Sequence, residues 1–496
     1  MKEAYGEFIA NFKKRLHELF HIENDIAKLS LERGLPQPVW NGIMENRPLS
    51  VAIPAEFGGR GAIVKECLGL LAAASYESLA LSLTFGINIA LFLEPLAKYG
   101  NEAIKKPIFD RFLNHQAMGG LMITEPDFGS DALNMQTQYQ ETEKGYAISG
   151  KKHWQGLTGM ADYWIVAARK ELDGGKLARD IEFFVTDDAK PEQKIHVDKY
   201  FDNLGLYIIP YGLNSIDITV PANQKLEQTS TGIKLMLDVL HRSRLQFPGM
   251  GMGFIERLLD EALEHTDNRI VSGKSLSKLD SVQYQLSRIQ AAYTLNSGMC
   301  AHSSSMSGIE YDVSGNGLEA NSMKALVTDL MQESAQLCLQ LAGSSGYKFE
   351  HIAGRGVMDS RPFQIFEGSN EMLYTQIAEI VLKAMKRKKE NNFGTYVAEY
   401  ELTHKVADRF KNVLNVSLHS DLSQRQMILF GKTIARLICL QYVHNMVEKG
   451  FREDLYENSA KHMKMDVKML MSDLIENNDA NAVFEYKENS DWTDFI

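Results

Sequence analysis

The hydrophobic period changes twice along this chain, and the resulting order of helical, alternating and again helical segments limits the fold more than any other feature. From residue 1 to about 115 apolar residues recur at helical intervals. Phe8, Phe12, Leu16 and Phe20 stand four apart and share one helix face. The stretch LGLLAAASYESLALSLTFGINIALFLEPLAKYG continues with small and apolar side chains suited to a well-buried helix pair. Near Met118 the period drops to two, through GYAISG, ADYWIVAA, IEFFVTDD and NSIDITVP. In the last segment Ile216, Ile218 and Val220 share one face, and Asp217 and Thr219 the other. Short strands separated by polar turns predict a compact β-domain of antiparallel type. After Thr229 the helical period returns, with Phe254, Leu258, Leu259, Ala262 and Leu263 as a stripe, and it runs to about Met385. Lys386–Lys389 then reads as a helix C-terminus, where cations suit the dipole.

The expected fold class is therefore α+β, in four units: a helical N-terminal domain at 1–116, a central β-barrel or sandwich at 117–225, a helical bundle at 226–388, and a helical C-terminal extension at 389–496. The best helix of the extension, around QRQMILFGKTIARLICLQYVHNMV, carries Lys432 and Arg436, so it reads as a packing helix and not a membrane span.

Composition removes several function classes. Acidic residues outnumber basic ones 64 to 53, a net charge of −11, which argues against a generic binder of nucleic acid or anionic membrane. The region from Glu390 onward is acidic too, with 17 acidic residues against 12 basic. Cys67, Cys300, Cys338 and Cys439 are far apart and form no CxxC pair, so no zinc or dithiol motif is read and a reducing compartment is expected. The 13 histidines lie outside any HExxH or His/Cys ligand pattern, and no metal centre is expected. The N-terminus lacks the apolar stretch of a signal peptide, and no run of some 18 apolar residues occurs anywhere. The expectation is a cytoplasmic protein without a transmembrane span. Gly249, Gly251 and Gly253 imitate part of a dinucleotide fingerprint, but no strand precedes them and helix packing explains them better.

Two local motifs carry chemistry. In Met122-Ile123-Thr124-Glu125-Pro126-Asp127-Phe128-Gly129-Ser130-Asp131 a strand-like run ends in a tight polar loop. Hydroxyls and free N–H groups in such a loop can bind a planar heteroaromatic ligand or a phosphate; an ordinary turn has the same composition. In Gln364-Ile365-Phe366-Glu367-Gly368-Ser369-Asn370-Glu371 a carboxylate precedes a helix and is flanked by apolar residues. Burial raises such a pKa and the helix N-terminus lowers it, which makes Glu367 either a candidate general base or a helix cap.

TEPDFGSD and QIFEGSNE, separated by a β-domain and a run of helices, resemble the acyl-CoA dehydrogenase family. IPAEFGGRG, GYAISGKKHWQGLTGMADYWIVAAR, HRSRLQFPGMGMGF, DNRIVSGK and QLAGSSGY follow the family's order, and the resemblance covers roughly residues 35–385. It implies an FAD flavoprotein with a C-terminal four-helix bundle, active as a homodimer or homotetramer. The implied reaction is α,β-desaturation of an acyl thioester, a carboxylate taking the α-proton while the β-hydrogen leaves as hydride to flavin N5. By this resemblance Glu367 is the base, and Gly368, Ser130 and Arg244 face the substrate. Leu121, Ile123, Thr124, Ser130, Trp154 and Gly156 hold the flavin ring and pyrophosphate, and Ser369 and Glu371 follow along it. Arg269 reaches FAD across the dimer, and Gln340, Ala342 and Gly343 meet the same cofactor. For Arg244 a place on the helix surface is an equal alternative.

Departures from the family pattern also show. The hydroxyl usually found after Trp154 is replaced by Gln155, Gly156 and Leu157, which leaves only a backbone donor for flavin N5. Ser272 stands where a phenylalanine is usual and Asp280 where a glutamine is common. Some family branches carry the base one residue before Arg244, but that slot is Ser243, which cannot serve. The expected partners are acyl-CoA and an electron-transferring flavoprotein. An acyl-carrier-protein substrate or an acyl-CoA oxidase would use the same site. A flavin-bearing DNA-associated relative fits less well, because the tail is acidic.

Overall fold

The computed structural model describes residues 3–418, 422–476 and 481–496. The N-terminal region holds α1 (Tyr5–His17), α2 (Ile26–Leu29), α3 (Gln37–Met44), α4 (Val64–Glu77), α5 (Leu79–Asn88), α6 (Glu94–Tyr99) and α7 (Glu102–Asn114). Phe8, Phe12 and Leu16 of α1 and Phe20 just beyond it are all buried, so the four-residue stripe faces the core. Between α4 and α5 the Ser78 hydroxyl accepts from the Leu81 amide and caps α5. The helical run Leu79–Tyr99, mean hydropathy 1.7, is long and apolar enough to cross a membrane, contrary to the expectation from the sequence. Yet 94% of its apolar window is buried inside the protein, as in a core helix.

The sheet comprises β1 (Gly119–Met122), β2 (Gln138–Thr142), β3 (Gly145–Gly156), β4 (Tyr163–Leu172), β5 (Lys176–Leu177), β6 (Glu182–Asp187), β7 (His196–Tyr200) and β8 (Tyr211–Val220). Its order is β1-β4-β2-β3-β8-β7, with β5 and β6 also paired to β4. Most neighbours are antiparallel, but β4 meets both β1 and the start of β2 in parallel. Along β8, Ile216, Ile218 and Val220 are buried while Asp217 is exposed, the alternation its sequence predicts.

The chain then enters α8 (Gly232–Asn268), capped by the Thr231 hydroxyl, and a small hairpin of β9 (Ile270–Val271) and β10 (Lys274–Ser275). With α9 (Asp280–Met306), α10 (Gly317–Ala342), α11 (Ile352–Ser360) and α12 (Asn370–Lys388) it completes the bundle. The three alternate glycines of α8 are packing devices. A Cβ at Gly249 would meet Leu68 of α4 at 3.0 Å, one at Gly253 would overlap the Ala72 carbonyl, and one at Gly251 would press on Asn296 and Val327 of α9 and α10. Lys386, Arg387 and Lys388 form the last turn of α12, and Lys389 takes the left-handed conformation that ends it. Beyond follow α13 (Phe393–Glu399), α14 (Lys411–Leu414), α15 (Gln424–Val447) and α16 (Glu453–Ile475). Helix α15 lies on α9, α10 and α12 of its own chain. Asp466 of α16 receives both Arg288 of α9, at 2.8 Å, and Arg436 of α15, at 3.3 Å.

Candidate functional site

The segment before α12 is built around two consecutive left-handed residues, Glu367 (φ 53°) and Gly368 (φ 89°). Glycine adopts this conformation freely, whereas a glutamate is strained in it and persists only where neighbours hold the backbone. Two buried cations supply that hold. Arg244 Nε of α8 donates to the Glu367 carbonyl at 3.1 Å, and Lys324 Nζ of α10 donates to the Gly368 carbonyl at 2.8 Å. Each cation is anchored further: Arg244 Nη1 on Asn321 Oδ1 at 2.7 Å, Lys324 on Asn370 Oδ1 at 3.1 Å. Asn370 in turn donates to Ala325, Thr328 and Asp329, so the start of α12 is tied to α10. The Ser369 hydroxyl caps α12, and Glu371 is exposed on its first turn.

The Glu367 side chain turns back into the protein. Its Oε1 accepts from Ser243 Oγ at 2.9 Å, while Oε2 is buried and has no hydrogen-bond partner among the described residues. Burial raises its pKa above the ordinary carboxylate value, against the pull of Arg244, Ser243 and Lys324. Phe366 packs on Phe363 at 5.0 Å and on Phe247 at 6.1 Å, and this aromatic group walls the segment on one side. Burial also lowers Lys324 to about 7, even with Glu367 nearby.

The β-domain supplies the opposite wall. A bulge between His153 and Gln155 interrupts the β3–β8 ladder and leaves Trp154 at φ 65°, half exposed, with Phe201 at 4.6 Å and Tyr211 at 6.1 Å. Tyr211 lies on the side facing Glu367: burial raises its phenol pKa, and the nearby charges of Asp359 and Glu367 raise it further. The Leu206 amide donates to Asp359 at 2.7 Å and fixes this edge to α11. Leu121, at the end of β1, and Ile123 and Thr124 just beyond it are half-buried. The Ile123 carbonyl accepts from Lys152 at 2.9 Å and the Thr124 carbonyl from Gln155 Nε2 at 3.1 Å. Glu125, inside the same motif, is a buried staple: it receives Lys152 at 3.0 Å and the Gln136 and Thr137 amides. Burial pushes its pKa up, but Lys152 and these donors win and hold it below the usual value. Ser130 is exposed at the loop's far side, and Gly156 packs on Ile87 and Ile209.

The structure thus brings Glu367, Gly368 and Arg244 together and sets Trp154 nearby by way of Tyr211. Arg244 is 6% exposed and bonded to the backbone of the candidate base, which removes the surface alternative. Gly368 has a backbone reason for its identity, since a Cβ there would meet Met372 and Leu373 at 2.9 Å. Arg269, Gln340, Ala342 and Gly343 are not part of this cluster. Helices α8 and α10 run in the same direction, with Gly317 beside His241 and Val327 beside Gly251. At 1.5 Å per residue Arg269 lies about 37 Å beyond Arg244, and Gln340 about 24 Å beyond Lys324. They mark the other end of the bundle. Ser243, excluded as a base itself, belongs to the site as a donor to Glu367, and Lys324 and Tyr211 join it without a motif to mark them; the one available signal was a lysine inside the apolar run of α10.

A helical domain, a curled sheet and a helical bundle, with a buried carboxylate where sheet and bundle meet, define a recognisable class. Residues 14–116 match the N-terminal domain of acyl-CoA dehydrogenase, 120–214 the middle domain and 230–382 the C-terminal domain. The chain belongs to the acyl-CoA dehydrogenase family. It is 23% identical over 396 residues to the mitochondrial very long-chain specific acyl-CoA dehydrogenase of Mus musculus, an alignment covering 76% of this chain and 58% of that one. It therefore spans little more than half the length of these curated relatives. The butyryl-CoA dehydrogenase of Megasphaera elsdenii superposes with a TM-score of 0.67 at 22% identity, covering 77% of this chain and all of the other. An acyl-CoA dehydrogenase complexed with FAD from Bacillus anthracis reaches 0.73 at 14% identity, over 95% of this chain and 89% of that one. This likeness extends the shared fold into the C-terminal helices.

Proposed function

We propose that this protein is an FAD-dependent dehydrogenase of acyl thioesters in which Glu367 takes the α-proton. The observation that carries the proposal is the state of that carboxyl group: turned inward on a half-buried residue, held through one oxygen by Ser243, with its second oxygen buried and unpartnered among the described residues and its backbone locked between Arg244 and Lys324. A base for a weakly acidic C–H needs this combination of fixed position, raised pKa and a free lone pair. The Glu367 backbone N–H would stabilise the charge that develops on the thioester carbonyl.

The residues present fit a flavin. Trp154 offers an indole face at the edge of the site, and Gln155 Oε1 is a buried acceptor without a donor among the described residues. Leu121, Ile123, Thr124, Ser130, Trp154 and Gly156 would hold the ring and pyrophosphate, with Ser369 and Glu371 alongside. Bound FAD would supply the hydride acceptor that no side chain provides. Arg269, Gln340, Ala342 and Gly343 are too far from Glu367 to meet the same flavin ring, so in this reading they serve a neighbouring subunit's cofactor and the protein is a homo-oligomer. The substrate is an acyl-CoA, and the electron acceptor an electron-transferring flavoprotein.

Anaerobic titration of the purified protein with acyl-CoA and acyl-carrier thioesters, followed by flavin absorbance, tests this. Bleaching by acyl-CoA is the expected result. Bleaching by carrier-bound chains alone would remove CoA from the reading, and a protein that stays colourless after reconstitution with FAD would overturn it.

A further inference from the structure

We propose that His17, His21 and Glu77 form a binding site for a divalent transition-metal ion of the Zn²⁺ type, which ties α1 to the end of α4. His17 closes α1, and the helix then widens into a π turn over Glu18–Glu23 that carries His21. The two imidazoles lie 4.8 Å apart between centroids, on the side of the helix that faces α4. Short π segments of this kind are often found where a helix serves a site. Glu77 is the last residue of α4 and reaches between the rings, Oε2 at 2.6 Å from His21 Nε2 and Oε1 at 3.9 Å from His17 Nδ1. One donor atom from each residue falls within 4.8 Å of the other two.

The electrostatics of Glu77 favour an ion. Its side chain is 8% exposed, and its only ion-pair partners among the described residues are the two histidines. A carboxylate so enclosed is costly unless a positive charge or strong donors compensate it. The two imidazole rings offer lone pairs; a divalent ion would use them and supply the compensating charge. Two imidazole nitrogens and one carboxylate oxygen are a donor set for Zn²⁺ or its neighbours, whereas Mg²⁺ and Ca²⁺ take oxygen ligands. Bond lengths near 2.1 Å in tetrahedral geometry put donors about 3.4 Å apart. Ion binding would therefore require His17, whose side chain is 63% exposed, to rotate inward and the 2.6 Å His21–Glu77 contact to open, with water as a fourth ligand. The site is remote in sequence from the flavin motifs and does not rest on the function proposed above.

The competing interpretation is a plain His21–Glu77 hydrogen bond with His17 as a surface ring, and His17 separates the two. The full chain, stripped with a chelator, is titrated with Zn²⁺ by calorimetry and with Co²⁺ by visible absorption, and its melting temperature is recorded with and without Zn²⁺. Expected are one ion per chain, a micromolar or tighter Kd, the d–d absorption of low-coordinate Co²⁺, and a melting temperature raised by Zn²⁺ but not by Mg²⁺. His17→Ala and Glu77→Gln should each weaken binding about tenfold or more and abolish the thermal shift; the glutamine keeps a hydrogen bond to His21, so the fold survives. Zn²⁺ affinity that is unchanged in His17→Ala, or several weak ions per chain, would overturn the site.

Discussion

Ser243 Oγ stands 2.9 Å from Oε1 of Glu367 and donates the one hydrogen bond that this carboxylate receives among the described residues. A donor to the charged form stabilises it, so Ser243 opposes the upward push of burial. Ser243→Ala removes that opposition and moves the Glu367 pKa higher. A hydrogen bond to a charged group is worth about 1.5–3 kcal/mol, which corresponds to roughly one to two pH units. Because the base must be ionised to act, the acid limb of kcat/KM should move toward alkaline pH by that amount, with activity lost mainly at low pH. Ser243→Thr keeps the hydroxyl and should restore the profile. An unmoved acid limb in the alanine variant would show that the contact does not tune the base.

Glu367→Gln conserves shape and removes the proton acceptor. The amide oxygen can still accept from Ser243, and Arg244 and Lys324 bind the backbone, so the left-handed turn should persist. General-base catalysis contributes about 10²–10⁴-fold, and flavin reduction by substrate should slow by at least that factor while flavin and ligand binding remain. Stopped-flow reduction measures the loss; near-normal turnover would exclude Glu367 from the reaction.

A second buried acid predicts a pH-dependent stability. Glu94 of α6 is fully buried, and burial raises it to about 7 from 4.5, against Arg242 and the Gln246 amide that donates to both its oxygens at 2.8 Å. Below about pH 4.5 the group is protonated in both states. Between 4.5 and 7 the folded protein retains a proton that the unfolded chain has released, so stability falls as pH rises through this window, by about 3 kcal/mol in all. Glu94→Gln removes the titration and still accepts from Gln246. Its stability relative to the parent, from urea unfolding, should therefore increase from pH 5 to pH 8 by most of that amount. Parallel curves for both proteins would mean that Glu94 does not titrate there.

Much of the architecture is legible in the sequence because periodicity reports burial directly. The Phe8–Phe20 stripe, the alternation of Ile216 to Val220 and the basic end of α12 all follow from one-dimensional patterns. The surroundings of Glu367 are legible only in part. Its own motif is local, and the family resemblance points to Arg244, but Ser243, Arg244 and Lys324 arrive from helices 124, 123 and 43 residues away, and no periodicity in the sequence marks that convergence. The same limit hides Glu125, which lies inside a motif that suggests ligand binding and serves its own loop instead. His17 and His21 show a four-residue spacing, yet the carboxylate between them is 56 residues from His21.

The crossing of α8 over α4 is the structural step that aims Ser243 and Arg244 at the α12 segment, and it depends on close approach. At Gly253 an added methyl would overlap the Ala72 carbonyl of α4 and lie 2.6 Å from Ser75 Oγ. Backbone cannot step aside as a flexible side-chain end can, so the helices must separate. Overpacking of this kind costs about 1–3 kcal/mol, which exceeds the few tenths to 1 kcal/mol that alanine gains over glycine in helix propensity. Gly253→Ala should therefore lower stability despite the better helix former. Gly273→Ala provides the contrast: no atom of the described residues lies within 4 Å of its Cβ position, and its cost comes from φ +77° alone. Thermal unfolding of both variants, with kcat measured on the folded protein, checks the argument. A Gly253→Ala protein at least as stable as the parent would mean that the crossing tolerates a wider gap.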